Sequence, residues 1–141
     1  MVTGNKRLSL IVQEGNLKVM FPQSSIKRFM EQSLTWIHDL TPKPLSQTYK
    51  VKLQYHYKQG LKFYVLEPKP LQLARNKTKL PHVYSTAEQL LCLYFPDGTE
   101  WNNSMLYTRT IIPWACEWLG HYEIWVTDGI WHGGGTIHNS D

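Results

Sequence analysis

An alternation of apolar and polar residues in the middle of the chain constrains the fold more than any other feature. From residue 49 onward, large apolar side chains occupy every second position, namely Tyr49, Val51, Leu53, Tyr55 and Tyr57. A period of two places them all on one face of a β-strand. The segment Lys58-Gln59-Gly60 then predicts a hairpin turn, and Leu61–Leu66 is predicted to be the antiparallel return strand, ended by Pro68 and Pro70.

The residues before this hairpin predict a helix followed by extended segments. One helical face, interrupted at Gly15, carries Leu8, Ile11, Val12, Val19 and Met20. This pattern predicts an N-terminal helix ending near Met20, ahead of Phe21-Pro22. Residues 26–30 fit either a turn or a strand, and residues 34–37 are bulky and β-branched, as strand residues are. Sequential strands on short loops predict an antiparallel meander.

The C-terminal third is predicted to be helical. Asn102 or Asn103 can cap a helix over residues 102–112, which Pro113 either breaks or restarts. An aromatic stripe at helical spacing is predicted to pack in the core, with Cys116 as a small packed residue beside it: Trp114, Trp118, Tyr122 and Trp125. Gly129 is a helix stop. The tail from Trp131 through Gly135 is predicted to be a flexible strap or a partner-contact loop.

Composition indicates one globular domain, residues 1–141, with 42% apolar and 18% charged residues. No apolar run long enough for a membrane span and no signal peptide is present, so we expect a cytoplasmic protein with reduced cysteines and no membrane association. No Cys/His spacing predicts a metal site, since His132 and His138 lack cysteine partners. We expect no cofactor.

The charge distribution bears on possible partners. The formal charge of +4 is compatible with an acidic partner or a nucleic acid. The charges are scattered, however, with one modest cluster at Lys69, Arg75, Lys77 and Lys79. No Arg-rich helix or nucleic-acid-binding motif accompanies it, so we interpret the cluster as a solvated loop and do not expect nucleic-acid binding.

Cys92 is the candidate functional residue. It lies in the apolar run Leu-Leu-Cys-Leu-Tyr-Phe over residues 90–95, closed by the turn signal Pro-Asp-Gly at residues 96–98, which places it at the end of a short strand or on the adjoining loop. His82 is ten positions upstream, Tyr84 follows two residues later, and Trp101 is nine positions downstream. The intervening polar residues, including Gln89, are predicted to be a loop. A buried strand cysteine is the alternative interpretation of Cys92.

This spacing resembles the active-site segment of ubiquitin-conjugating enzymes, in which His-Pro-Asn precedes the catalytic cysteine by the same step and a Trp follows. The resemblance implies an α+β, UBC-like fold with an antiparallel meander of about four strands, flanked by an N-terminal helix and C-terminal helices. It also implies a catalytic role for Cys92 and a mainly structural one for His82. Tyr84 replaces the Asn that the family uses to stabilise the oxyanion, and a phenol can also donate a hydrogen bond.

Longer segments resemble a prokaryotic branch of this family, the stand-alone proteins encoded beside cyclic-oligonucleotide synthases in bacterial CBASS antiphage operons. These segments include Leu-Ser-Gln-Thr-Tyr-Lys-Val at 45–51, Ile-Pro-Trp-Ala-Cys-Glu-Trp-Leu at 112–119 and Thr-Asp-Gly-Ile-Trp-His at 127–132. The resemblance implies a cGAS/DncV-like nucleotidyltransferase as partner. The C-terminus of that partner would form a thioester with Cys92 and pass to a target amine, priming antiphage signalling.

Two other functions are compatible with the sequence. A free thiol is only a few per cent ionised at neutral pH, so attack on a peptide bond needs a base and an oxyanion donor, whereas exchange with a thioester is nearly balanced in energy. Cys92 is therefore either an acyl carrier or the nucleophile of a peptidase-like enzyme that processes the partner's C-terminus. The third possibility is a non-catalytic module that binds and regulates the synthase.

Overall fold

The computed structural model describes residues 6–133 and has a six-stranded antiparallel sheet at its centre. The strands are β1 (Ser25–Phe29), β2 (Ser33–Leu40), β3 (Tyr49–His56), β4 (Gly60–Glu67), β5 (Val83–Ser85) and β6 (Leu90–Leu91). Their spatial order is β1-β2-β3-β4-β6-β5, so the first four form a meander and only the last two exchange places. The predicted α+β class and antiparallel meander are confirmed.

The alternating segment forms β3, as predicted. Buried and partly exposed residues alternate strictly along its whole length, and the backbone pairs with β2 on one side and with β4 on the other. Tyr49, Val51 and Leu53 are fully buried. Burying one such side chain is worth about 1.5–3 kcal/mol. This strand therefore fixes which face of the sheet carries the core.

Helix α1 (Leu10–Met20) ends where the sequence predicts, but its buried face differs from the predicted one. The residues that pack inward are Leu10, Gln13 and Leu17, while Ile11, Val12, Val19 and Met20 are exposed. The cause is the Gln13 amide, which accepts from the Tyr107 N–H at 3.0 Å and donates to the Met105 carbonyl at 2.9 Å. These hydrogen bonds satisfy a buried polar group that hydrophobic periodicity would place on the outside.

Two predictions about element number were wrong. The sheet has six strands rather than about four, because β5 and β6 contain only three and two residues and leave no periodic signal. The predicted helix over residues 102–112 is a loop with a single 3₁₀ turn at Tyr107–Arg109, and one long helix, α2 (Ile111–Asp128), takes the place of several C-terminal helices. Pro113 lies in the first turn of α2, where its missing N–H costs no helical hydrogen bond.

Helix α2 packs on the core face of the sheet through the aromatic stripe. Trp118, Tyr122 and Trp125 are buried, and Trp114 and Cys116 pack against the core while partly exposed, which confirms the core interpretation. Gly129 ends the helix in the left-handed conformation, with a φ of 75°.

No helix in the described part of the chain is long and apolar enough to cross a bilayer. Of the predicted tail, Gly134, Gly135 and His138 lie outside the described residues.

Candidate active site

Cys92 directly follows β6, at the strand-end position that the sequence predicts. Its backbone N–H donates to the carbonyl oxygen of His82 at 3.1 Å, which ties the two ends of the predicted motif together. The residue is 8% exposed, so the thiol sits just beneath the surface. A reagent reaches it only past the side chains that cover it.

Two tyrosines hold the thiol. The Cys92 thiol donates to the main-chain carbonyl of Tyr94 at 3.5 Å, and the Tyr84 hydroxyl makes a side-chain hydrogen bond with the same sulfur. Tyr84 is 42% exposed, whereas Tyr94 packs against Trp101 with ring centroids 5.4 Å apart. Tyr84 is thus the more exposed of the two groups that contact the sulfur, while Tyr94 is anchored to the core. The sequence offered no signal for Tyr94, because its contact is made by a backbone atom.

The environment of Cys92 keeps the sulfur protonated. Burial raises the pKa of the Cys92 thiol above its ordinary value, and the Glu100 carboxylate adds to that rise. The hydrogen bond from the Tyr84 hydroxyl acts in the opposite direction. The pKa of Tyr84 is itself raised, first by burial and then by its contact with Cys92. At neutral pH both groups are therefore in their neutral, proton-donating forms.

His82 contacts the cysteine through its backbone. Its carbonyl oxygen accepts from both the Cys92 N–H and the Trp118 indole N–H, the latter at 3.0 Å. Its imidazole stacks on Trp131, with ring centroids 5.0 Å apart. The residue adopts a φ of 47°, a conformation that is uncommon for a non-glycine residue. The structure thus brings all three predicted site residues together, Cys92 and Tyr84 by side chain and His82 by main chain.

Gln89 is buried beside the site and hydrogen-bonds the chain around the end of β4, although the sequence predicts a polar loop residue. It is 1% exposed, and its amide accepts from the Leu71 N–H at 2.6 Å and donates to the carbonyls of Val65 and Pro68. Its backbone carbonyl accepts from the Val65 N–H at 3.0 Å. These four hydrogen bonds attach the chain just before β6 to the end of β4. They fix the position of the chain that leads into Cys92 relative to β4.

A cavity of about 380 Å³ adjoins the two tyrosines. One wall is the beginning of β4 and the turn before it, at Gln59–Phe63; the other is formed by residues on either side of Cys92. These are Tyr84, Leu90, Leu91, Leu93, Tyr94 and Pro96, with Ile111 beneath. The lining is largely apolar and contains one basic residue, Lys62, and no acidic residue. The cavity therefore leads to the groups that contact the sulfur.

A comparison with protein families identifies the chain. The family model described as Type II CBASS E2 protein matches residues 13–139. The chain belongs to this family. The match spans almost the entire sequence and includes Cys92, His82 and Tyr84, and it confirms the predicted resemblance. A comparison with curated proteins gives no match.

Membership in the Type II CBASS E2 family indicates a role in CBASS, an activity of the ubiquitin-conjugation type and association with CBASS machinery. Among residues 6–133, no three His, Cys, Asp or Glu side chains converge as ligands for a metal ion.

Proposed function

We propose that this CBASS E2 protein is a cysteine-dependent acyltransferase. Cys92 accepts the activated C-terminus of a cGAS/DncV-like nucleotidyltransferase as a thioester and passes it to a target amine. The observation that carries the proposal is the position of the Cys92 sulfur at a strand end, between the Tyr84 hydroxyl and the Tyr94 carbonyl, in a chain of the E2 family.

The chemistry follows in two steps. The Cys92 thiol loses its proton and attacks the carbonyl carbon of an acyl group already activated as a thioester or adenylate, whose leaving group departs with the bonding electrons. An amine then attacks the new thioester, and the Cys92 sulfur leaves and is reprotonated. The raised pKa of Cys92 suits a carrier of this kind, because exchange between thioesters is nearly balanced and needs no permanently ionised thiolate.

Tyr84 is the proposed oxyanion donor. Its hydroxyl already bonds the sulfur and its pKa is raised, so it stays protonated over the physiological range. When the sulfur is acylated, a donor at this position is within reach of the carbonyl oxygen that becomes negative in the tetrahedral intermediate. This assigns to the phenol the role that an Asn amide has in the family resembled.

His82 is proposed as a positioning residue. Its carbonyl holds the Cys92 backbone and its ring is stacked on Trp131, an arrangement that supports a role in shaping the loop. The raised pKa of the Cys92 thiol weighs against peptidase-like processing of the partner, because that reaction requires a base that ionises the thiol. The low exposure of Cys92, in contrast, favours the binding module as second candidate.

Non-reducing electrophoresis of the protein co-expressed with its operon's synthase tests the proposal. We expect an adduct that hydroxylamine releases at neutral pH, which distinguishes a thioester from a disulfide. The adduct should be lost in Cys92→Ala and retained in Cys116→Ala, the matched control. If Cys92→Ala still forms the adduct, or if the wild type forms none while the two proteins co-purify, the acyltransferase proposal fails and the binding module remains.

A further inference from the structure

The first half of β4 has an open edge. On one side β4 pairs with β3 over its whole length, from His56↔Gly60 to Lys50↔Glu67. On the other side its register with β6 consists of one pair, Tyr64↔Leu90. Over Gly60–Lys62, no residue in the described part of the chain pairs with β4 on this second side. An unpaired strand edge is a template for an added strand.

The backbone groups at this edge have a defined direction. Val65 points both its N–H and its C=O toward Gln89, on the side of β4 that faces β6. Because these groups alternate along a strand, Phe63 and Leu61 present their N–H groups to the same side, while Lys62 and Gly60 face β3. The cavity described above lies against this stretch. An extended chain placed there meets both hydrogen-bond donors and an apolar wall.

We propose that this edge binds the extended segment that precedes the acyl carbon of the partner, as an added β-strand. This inference rests on the proposed function. With its carboxyl end directed toward Leu91 and Cys92, the added strand runs parallel to β4. Four strand residues span about 13 Å, enough to run along Gly60–Lys62 and end beside the tyrosines that contact the sulfur.

The side chains at the edge specify the chemistry of this segment. Phe63 is buried and Leu61 packs against the core, whereas Lys62 points to the opposite face of the sheet. Lys62 has no carboxylate within salt-bridge distance among residues 6–133, and no acidic side chain lines the cavity. The segment that fits therefore alternates, with apolar side chains entering the cavity and an acidic one opposite Lys62.

Peptide binding to the Cys92→Ala protein tests the inference without any acyl transfer. The probe is a dansylated Val-Glu-Val-Gly peptide with a free carboxyl end, compared with Val-Lys-Val-Gly and with a version N-methylated at its backbone. We expect the acidic peptide to bind at least about threefold more tightly than the lysine peptide, and methylation to abolish binding. Hydrogen exchange at the Leu61 and Phe63 amides should slow on binding, while exchange at Lys62 should not change.

A charge reversal supplies the matched comparison. Lys62→Glu should invert the preference between the acidic and lysine peptides, whereas Lys27→Glu, at the far edge of the sheet in β1, should leave it unchanged. Equal binding of all three peptides, or protection of the two amides by a second copy of the chain instead of the peptide, overturns the inference. Thioester formation at Cys92 without peptide preference also overturns it and leaves the proposed function intact. If Cys92 forms no adduct, the proposed function fails, independently of the peptide result.

Discussion

The backbone N–H of Cys92 donates to the carbonyl oxygen of His82 at 3.1 Å, and this single hydrogen bond joins the two residues that the sequence separates by ten positions. The histidine thereby shapes the site with its main chain, while its ring packs on Trp131. The side chain that reaches the sulfur is Tyr84. Reactivity at Cys92 should therefore respond to Tyr84 and to the surrounding charges.

Replacing Tyr84 by Phe should raise the pKa of Cys92 further. The Tyr84 hydrogen bond is the largest influence that lowers this pKa, and phenylalanine keeps the ring while removing the donor. The pH profile of iodoacetamide alkylation, recorded with Cys116→Ala as background, should shift to higher pH. Tyr57→Phe, an exposed tyrosine in the hairpin turn, is the control and should cause no shift. An unchanged profile in Tyr84→Phe contradicts the assignment.

Replacing Glu100 by Gln should have the opposite effect. The Glu100 carboxylate raises the pKa of Cys92, and glutamine removes the negative charge while keeping an acceptor for the Phe95 N–H, which Glu100 now bonds at 2.6 Å. The alkylation midpoint should move to lower pH, and Glu88→Gln should leave it in place. A shift to higher pH would mean that the carboxylate acts on the thiol by some route other than charge repulsion.

Replacing Gln89 by Ala should destabilise the fold by about 3 kcal/mol. The change leaves the buried Leu71 N–H and the Val65 and Pro68 carbonyls without their side-chain partner, and each unsatisfied buried group costs about 1–3 kcal/mol. Urea unfolding measures this loss. Gln72→Ala, at an exposed side chain in the same loop region, should change the free energy of unfolding by less than about 0.5 kcal/mol. Equal effects of the two changes would show that the Gln89 network contributes little.

Glu14 should make stability depend on pH in the acid range. Its hydrogen bond with Arg28, at 2.9 Å, is the main cause that lowers the pKa of this carboxyl in the folded protein. The stabilisation is therefore fully present above the unfolded-state pKa and is lost as the pH falls through the lower folded-state pKa. Glu14→Gln should cost about 1 kcal/mol at pH 7 and nothing once the carboxyl is protonated in both states.

Lys18→Gln is the control for this measurement. Lys18 lies 3.7 Å from the same carboxylate, but its side chain is 65% exposed, so water screens the pair. Its replacement should change unfolding at pH 7 by less than about 0.5 kcal/mol. A Glu14→Gln deficit that persists unchanged in acid would assign the loss to packing rather than to charge.

The parts of the fold that could be predicted are those with long periodic patterns. The alternation of apolar and polar residues predicts β3. Phe21-Pro22 predicts the end of α1, and Gly129 predicts the end of α2. β5 and β6 are too short to show a period, and tertiary pairing alone defines them. The buried face of α1 could not be predicted, since the bonds of Gln13 to residues some ninety positions away decide it.

The same distinction holds at the site. The spacing of His82, Tyr84 and Cys92 predicts that the three residues form one site, because it resembles the motif of ubiquitin-conjugating enzymes. His82 and Tyr94, however, contact Cys92 through their backbone carbonyls, and a sequence pattern carries no signal for such contacts. The polarity of Gln89 predicts an exposed loop residue, whereas four hydrogen bonds compensate its burial.

The most direct test of the account is intact-mass spectrometry of the protein purified under non-reducing conditions with its operon's synthase. We expect a species whose mass is the sum of the two chains less one water, attached at Cys92, released by neutral hydroxylamine and missing from Cys92→Ala. A species of this mass that persists in Cys92→Ala, or a wild-type sample that contains only the two separate chains, contradicts it.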